Sequence, residues 1–118
     1  MKIDVLPHPA DSRITLLTLA GRLDSLTEPE AAPRVLGAVK TCDTGIIFDL
    51  AGLEFVSSAG LRLLLQACRN CTAGGKRMAM VRAQPAVYKI FKLASFDEAF
   101  NLHEDGVSAL EAVWNQAE

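Results

Sequence analysis

The sequence is poor in the residues that mark disulfide-rich, metal-binding and nucleic-acid-binding proteins. It holds three cysteines and two histidines in 118 residues, and its formal net charge is −2. An odd number of cysteines in a short chain argues against a disulfide framework, and His8 and His103 are remote from each other in the sequence. A nucleic-acid-binding domain normally carries a basic patch. We therefore expect no metal, no other cofactor and no nucleic-acid partner.

Long apolar runs are also absent. None approaches the ~20 residues that a membrane-spanning helix needs, and residues 1–13 lack the apolar centre of a signal peptide. Internal repeats, linkers and low-complexity segments are missing as well. Half of the residues are hydrophobic and 22% are charged, which suits one packed domain. We therefore expect a single domain over residues 1–118 that is cytoplasmic and has no membrane insertion.

The stretch from residue 45 to residue 71 organises the rest of the chain. Gly45–Leu50 is apolar without alternation and predicts a strand that is covered on both faces. Ala51–Val56 predicts a loop. Ser57 or Ser58 can cap the helix that follows, because a serine oxygen can accept a hydrogen bond from an amide of the first turn. Both serines remain candidates for the cap.

The helix that follows has one apolar face and carries two cysteines near its end. Its apolar residues recur at i, i+3, i+4 and i+7, and two glycines after residue 73 end the pattern. Cys68 and Cys71 form a C-x-x-C, a spacing that can indicate redox or metal chemistry. At the C-terminal end of a helix, however, the dipole raises a thiol pKa. We therefore interpret both cysteines as small buried hydrophobic residues.

Strands and helices alternate along the remainder of the chain. Thr27 and Glu30 fit a capping box, but Pro33 is a misfit in a helix interior, so we expect that helix to start later than the box suggests. Further strands are predicted at Lys2–Leu6, Ile14–Ala20, Arg77–Arg82 and Ala99–His103, and further helices from Pro85 and after Asp105. The order β-β-α-β-α-β-α-β-α predicts an α/β fold with a mixed, mostly parallel sheet of about five strands and about four helices.

A serine hydroxyl at the start of the central helix occupies an electrostatically unusual position. Free amides and the helix dipole favour negative charge there by ~0.3–1 kcal/mol. A phosphate on Ser58 would therefore be compatible with the fold, and it would add about −1.5 to −2 charges to the surface. The residues alone leave two interpretations open, namely a helix cap only and a phosphorylation switch.

The string FDLAGLEFVSSAGLRLLLQA resembles the signature of the STAS domain, and specifically that of the bacterial anti-sigma factor antagonists. Two more segments are similar to that family in the same order. They are Gly21–Asp24, with the sequence GRLD, and the stretch from Gln84 to Phe91. Together the matches cover nearly the whole chain. The departure is Ser57, where many family members carry aspartate.

The resemblance implies a STAS fold and a binding module rather than an enzyme. The family's phosphorylated serine corresponds to Ser58, and Asp24 would lie beside it and help to present it, although Asp24 could also be only a local turn acceptor. The residues implied in partner binding surround that serine: Asp24, Ser57, Ser58, Ala59, Gly60 and Arg62. We also expect Gly60 to let a partner backbone approach closely, and Leu53, Phe55 and Val56 to offer apolar contact, with Phe55 equally able to be core.

The partners that the resemblance implies act in sequence. The unmodified protein would bind a partner that is both an anti-sigma factor and a serine kinase, and would displace the sigma factor. The kinase would then phosphorylate Ser58, and a serine phosphatase would reverse that step. The kinase would supply ATP and Mg²⁺, so this chain needs no cofactor of its own.

Two other functions are alternatives to this one. The first is a constitutive STAS scaffold in a lipid-transport or sensor complex, in which Ser58 would be only a cap. The second is a small serine enzyme. The sequence lacks a G-x-S-x-G elbow, a histidine near the serines and a glycine-rich phosphate loop. We therefore expect the protein not to be an enzyme.

Overall fold

The computed structural model describes residues 1–115. Its elements follow the predicted order: β1 Lys2–His8, β2 Asp11–Leu23, α1 Glu28–Thr41, β3 Gly45–Val56, α2 Ser58–Ala73, β4 Arg77–Val81, α3 Pro85–Leu93, β5 Leu102–His103 and α4 Gly106–Asn115. The predicted α/β class and the alternation of strands and helices are confirmed.

The five strands form one sheet in the order β1-β2-β3-β4-β5. β1 pairs with β2 antiparallel, and the other neighbours pair parallel, which confirms the mixed and mostly parallel sheet. Each parallel connection runs through a helix, as a crossover requires. Because parallel strands end at the same edge of a sheet, the segments that follow β2, β3 and β4 lie at one end of the molecule.

The core lies on both faces of the sheet. On one face, Ile46 and Phe48 belong to a large apolar cluster that includes residues of α1, α2 and α3. On the other face, Ile47 packs with Ala109 and Val113 of α4. β3 is therefore covered on both faces, which explains why its first half is apolar without alternation.

β3 is longer than the sequence predicts. The expected loop Ala51–Val56 continues the strand, because this segment pairs with β2 up to the last residue of both strands. The register shifts twice within that pairing, and Gly52 fits there because a Cβ at its position would lie 2.9 Å from the Cβ of Ala20. The prediction of a loop at Ala51–Val56 was therefore wrong. The reason is that such irregularities interrupt the alternation of polar and apolar residues by which a strand is recognised in a sequence.

α1 also differs from its prediction. It begins at Glu28 and includes Pro33, so the expected later start is wrong. Pro29 and Pro33 are both exposed, and the carbonyl that loses its amide partner can therefore be hydrated. The capping box is absent as well, since Thr27 makes no side-chain cap bond and its Oγ1 donates to the Arg22 carbonyl oxygen over 2.8 Å.

Of the C-terminal elements, β5 is shorter than expected. β5 has only two residues, because the segment before it forms turns in which Phe100 is buried against Phe91 with a ring-centroid distance of 4.9 Å. Pro85 begins α3 as predicted, and Asp105 accepts a hydrogen bond from the Ser108 amide over 2.7 Å, as an N-cap does. Within residues 1–115, no helix is long and apolar enough to cross a membrane.

Candidate functional site

The carboxyl ends of β2 and β3 bring two connections together. Leu23 and Val56, the last residues of these strands, are paired. The Ser57 amide extends that pairing by donating a hydrogen bond to the Leu23 carbonyl oxygen over 2.9 Å. Asp24 directly follows Leu23, and Ser58 directly follows Ser57. The backbone therefore fixes the β2–α1 loop against the first turn of α2, which brings together the segments that carry the predicted site.

The two serines at the start of α2 have different roles. Ser57 is the N-cap, with an extended backbone (φ −88°, ψ 178°) and an Oγ that accepts a hydrogen bond from the Gly60 amide over 3.4 Å. Ser58 is the first helical residue and is exposed. Its hydroxyl forms no side-chain hydrogen bond within residues 1–115. The cap is thus Ser57, and the Ser58 hydroxyl is left accessible.

Asp24 stabilises the loop that faces these serines. Its Oδ1 accepts hydrogen bonds from the amides of Leu26, over 3.0 Å, and Thr27, over 3.2 Å, which is an Asx-type turn. Partial burial disfavours the charged form, but the two amides outweigh it and hold the pKa of Asp24 below its usual range. Asp24 therefore acts as a local turn acceptor, which is one of its two predicted roles. Its carboxylate is negative at neutral pH.

Arg22, near the end of β2, is held by one residue of the β2–α1 loop and by one residue of β3. Its Nε lies 3.7 Å from Oδ2 of Asp24, and its guanidinium stacks over the Phe55 ring at 4.4 Å from the ring centroid. Phe55 is half-buried, so this stack forms part of the surface beside the serines. Arg22 is accordingly engaged both by charge and by stacking.

Three of the residues expected to face a partner lie in the interior instead. Gly60 is buried, and a Cβ there would lie 2.7 Å from the Leu23 carbonyl oxygen and 2.9 Å from Cγ1 of Val56. The expected close approach of a partner backbone at Gly60 is therefore wrong, because this glycine allows α2 to approach β2. Leu53 and Val56 are also buried in the core, and of the expected apolar contacts only Phe55 reaches the surface.

Arg62 lies one turn after Ser58 on the exposed side of α2. It lines a cleft of about 200 Å³ between α1 and α2, together with Glu28 and Ala59. Within the described part of the chain, no salt bridge involves the Arg62 guanidinium. Ala59 and Arg62 thus line one cleft close to Ser58, and within residues 1–115 the positive charge of Arg62 has no direct ionic partner.

One exposed residue of the β2–α1 loop was not predicted from the sequence. Leu26 is 88% exposed, although it is a large apolar side chain on the loop just before α1. Its amide donates a hydrogen bond to the carboxylate of Asp24, so the turn holds the backbone of this leucine while its side chain is exposed. The available signal was an apolar residue between a turn-forming aspartate and a helix start, where a polar residue is usual.

Other chemically capable residues serve the fold. Asp49 is buried and pairs with Arg82 through two hydrogen bonds, one of them from Nε to Oδ1 over 3.2 Å. That pairing raises the pKa of Arg82, whose backbone adopts a left-handed φ of 61°. Burial raises the pKa of Cys68 and of Cys71 to about 12. Both thiols are therefore protonated at neutral pH, which agrees with the prediction that these cysteines pack as small hydrophobic residues. Within residues 1–115, no cluster of three potential metal ligands occurs.

Comparison with known proteins gives both a family and a fold. The STAS domain family model matches residues 7–109. The anti-sigma factor antagonist SpoIIAA in its unphosphorylated form is similar over 96% of both chains, with 20% identity and a TM-score of 0.75. The phosphorylated form of SpoIIAA from Bacillus has a TM-score of 0.68 at 20% identity and covers 93% of this chain and 97% of that one.

Two further structures show how widely this fold is used. An anti-sigma factor antagonist from Mycobacterium paratuberculosis covers 97% of this chain and 94% of its own, with 23% identity and a TM-score of 0.83. The murine anion transporter Slc26a9 has a TM-score of 0.74 and 16% identity, and it matches 89% of this chain with 18% of its own length. The same fold therefore occurs both as a small separate protein and as a part of a large transporter.

Proposed function

We propose that this chain, which belongs to the STAS domain family, is an anti-sigma factor antagonist whose binding is controlled by phosphorylation of Ser58. The observation that carries the proposal is the division of labour between the two serines. Ser57 caps α2, so the exposed Ser58 hydroxyl can be modified without loss of the cap. A helix start also tolerates the added negative charge.

The docking surface in this proposal consists of Asp24, Leu26, Ser58, Ala59 and Arg62. It combines one apolar side chain with charges of both signs, and an interface of this kind gains affinity from the apolar anchor and specificity from the charges. The Asx turn holds the backbone of Leu26 before binding, so little backbone entropy is lost when a partner covers this residue. The partner would be an anti-sigma factor that is also a serine kinase, and it would offer an apolar pocket to Leu26.

The covalent step belongs to that kinase. The γ-phosphoryl group of ATP passes to the Ser58 oxygen, ADP leaves, and the hydroxyl proton goes to a base of the kinase. The new dianion lies within the docking surface, where it repels acidic groups of the partner and is costly to desolvate. A serine phosphatase would hydrolyse the ester, which releases inorganic phosphate and restores the unmodified serine.

The test compares Ser58→Ala and Ser58→Asp as ligands of the partner. Ser58→Ala, which cannot be phosphorylated, serves as the bait to capture the kinase from the protein's own cells. We expect Ser58→Ala to bind the purified kinase like the wild type and Ser58→Asp to bind at least about tenfold more weakly, a difference of ~1.4 kcal/mol. Ser12→Asp adds the same charge on an exposed residue near the start of β2, at the other end of that strand from the docking surface, and should bind like the wild type. Equal affinity of the two Ser58 variants would contradict the proposal.

The second candidate is a constitutive STAS scaffold, and the likeness to part of an anion transporter favours it. In that case Ser58 would carry no phosphate, and the protein would remain associated with transporter subunits. Intact-mass measurement and fragmentation of the protein from its own cells, in several growth conditions, distinguish the two functions. A condition-dependent phosphate on Ser58 supports the switch. Its absence in every condition, together with co-purifying transporter subunits, supports the scaffold.

A further inference from the structure

We infer that Arg62 is the intramolecular partner of the phosphate on Ser58. Phosphorylation would then withdraw a positive charge from the docking surface at the same time as it adds a negative group. This inference rests on the proposed phosphorylation of Ser58 and specifies how that modification changes the surface.

The spacing of the two residues carries the inference. Ser58 and Arg62 are four residues apart in α2 and are both exposed, so their side chains are neighbours on one face of the helix. An acidic group that precedes a basic group by four residues has the favourable orientation for such a pair. The guanidinium offers five N–H donors in a planar fork, which suits the oxygens of a phosphate.

The surroundings leave Arg62 as the available cation. Arg22, near the end of β2, is already held by Asp24 and by the Phe55 ring. Arg62 forms no salt bridge within residues 1–115, and Glu28 is the acidic residue that shares its cleft from α1. A phosphate one helical turn away carries about twice the charge of that carboxylate and would therefore be preferred by Arg62.

The consequence concerns the chemistry of the partner. In the unmodified protein, Arg62 presents a positive charge beside Ser58, and an acidic side chain of the partner would complement it. Once the phosphate binds Arg62, the pair carries a net charge of about −1, and the same acidic side chain is repelled. The partner is therefore expected to offer a carboxylate opposite Arg62 as well as an apolar pocket for Leu26.

The test measures the ionisation of the phosphate itself and needs no kinase. Phosphoserine is incorporated at position 58 during translation, and ³¹P NMR follows the second ionisation of the phosphate as a function of pH in the full chain. A neighbouring guanidinium favours the dianion. We expect the midpoint of wild type to lie about 0.3 pH unit or more below that of Arg62→Gln, as a helix i,i+4 ion pair implies. Arg62→Lys should keep part of the shift.

Arg69→Gln is the matched control, since it removes the same charge from the exposed side of the same helix but lies two turns farther from Ser58. Its midpoint should equal that of wild type. Equal midpoints for wild type and Arg62→Gln would overturn the inference and leave the docking switch intact. An absence of phosphate on Ser58 in cells would contradict the proposed function and leave the titration unchanged, so the two failures are distinguishable.

Discussion

Both ends of α2 carry side chains with a nucleophilic group, but these groups lie in opposite environments. At the N-terminal end, Ser58 is exposed and its hydroxyl has no side-chain partner within residues 1–115. At the C-terminal end, Cys71 is buried and Cys68 is partly buried with its Sγ 3.3 Å from Sδ of Met78. Burial raises the pKa of both thiols to about 12, so the intrinsically stronger nucleophile is the inactive one.

Environment, and not residue type or spacing, decides which end of α2 can be modified. The C-x-x-C is a better-known reactive motif than a pair of serines, yet its thiols pack into the core and favour the protonated form. A serine hydroxyl is a weak nucleophile at its free pKa, but Ser58 is exposed and a partner enzyme can reach it. A kinase would therefore act on the N-terminal end, although most of the intrinsic reactivity is at the other.

The largest expected effect tests this difference in accessibility directly. Ser58→Cys places a thiol at the exposed N-terminal end of α2. We expect it to react with a thiol reagent about a thousandfold faster than Cys68 and Cys71, because burial raises the pKa of those two thiols to about 12 and covers them. The measurement is the rate of labelling by Ellman's reagent at pH 7. In denaturant all four thiols should react at similar rates. Native thiols that react as fast as the new one would contradict the buried environment of the C-terminal end.

The next effect tests how closely the N-terminal end of α2 packs against β2. Gly60→Ala would place a Cβ 2.7 Å from the Leu23 carbonyl oxygen, and we expect it to lower the free energy of unfolding by about 1–3 kcal/mol. Urea denaturation gives the value.

The matched control is Gly37→Ala in α1. A Cβ there meets nothing within 4 Å, so this change should stabilise the protein by about 0.5–1 kcal/mol, as expected in a helix interior. If both substitutions had the same effect, the first turn of α2 would not depend on contact with β2.

A smaller effect separates the two serines. Ser57→Ala removes the side chain that caps α2 and should cost about 0.5–1 kcal/mol. Ser58→Ala should change the free energy of unfolding by no more than about 0.5 kcal/mol, as for an exposed residue without a structural partner. Chemical denaturation of both variants measures the difference. A larger loss for Ser58→Ala than for Ser57→Ala would reverse the assignment of the cap.

The smallest effect concerns Asp24 on the β2–α1 loop, beside the N-terminal end of α2. Because the pKa of Asp24 is lowered in the folded state, its charge contributes stability above the unfolded pKa of about 3.9, and that contribution is lost as pH falls through the lower folded value. Asp24→Asn should therefore show a shallower loss of stability between about pH 5 and pH 2 than wild type. Denaturant midpoints at several pH values measure it.

Asp11 supplies the comparison for that variant. Arg13 lowers the pKa of Asp11 through a side-chain hydrogen bond, but Asp11 is the first residue of β2, at the opposite end of that strand from Asp24. Asp11→Asn should alter the acid dependence of stability without altering binding to the partner, whereas Asp24→Asn should alter both. Unchanged partner binding in Asp24→Asn would remove that residue from the docking surface.

Sequence patterns predicted the elements whose burial is regular. The apolar run of β3 follows from the burial of both of its faces, and the apolar stripe of α2 follows from the helical period of 3.6 residues. The order of elements then limits the sheet to a mostly parallel one. Patterns failed where pairing is irregular. Ala51–Val56 joined β3 through a register with shifts, and Pro33 was accommodated in α1 because its side of the helix is exposed.

The candidate site divides in the same way. Ser58, Asp24 and Arg62 were predicted from motifs, and the structure brings their segments together. Leu26 was missed, and Gly60 was assigned to the wrong side of the helix. A motif identifies which residues recur together, but it does not state whether a glycine faces the core or a partner.

The sequence by itself determined the fold class, the order of strands and helices, and the presence of two serines at the start of the central helix, because these depend on local propensity and periodicity. The tertiary structure alone decided that Ser57 caps the helix while Ser58 remains accessible, and that Gly60 faces β2. Those outcomes depend on contacts between segments far apart in the chain, such as the hydrogen bond from the Ser57 amide to the Leu23 carbonyl oxygen, and no local pattern encodes them.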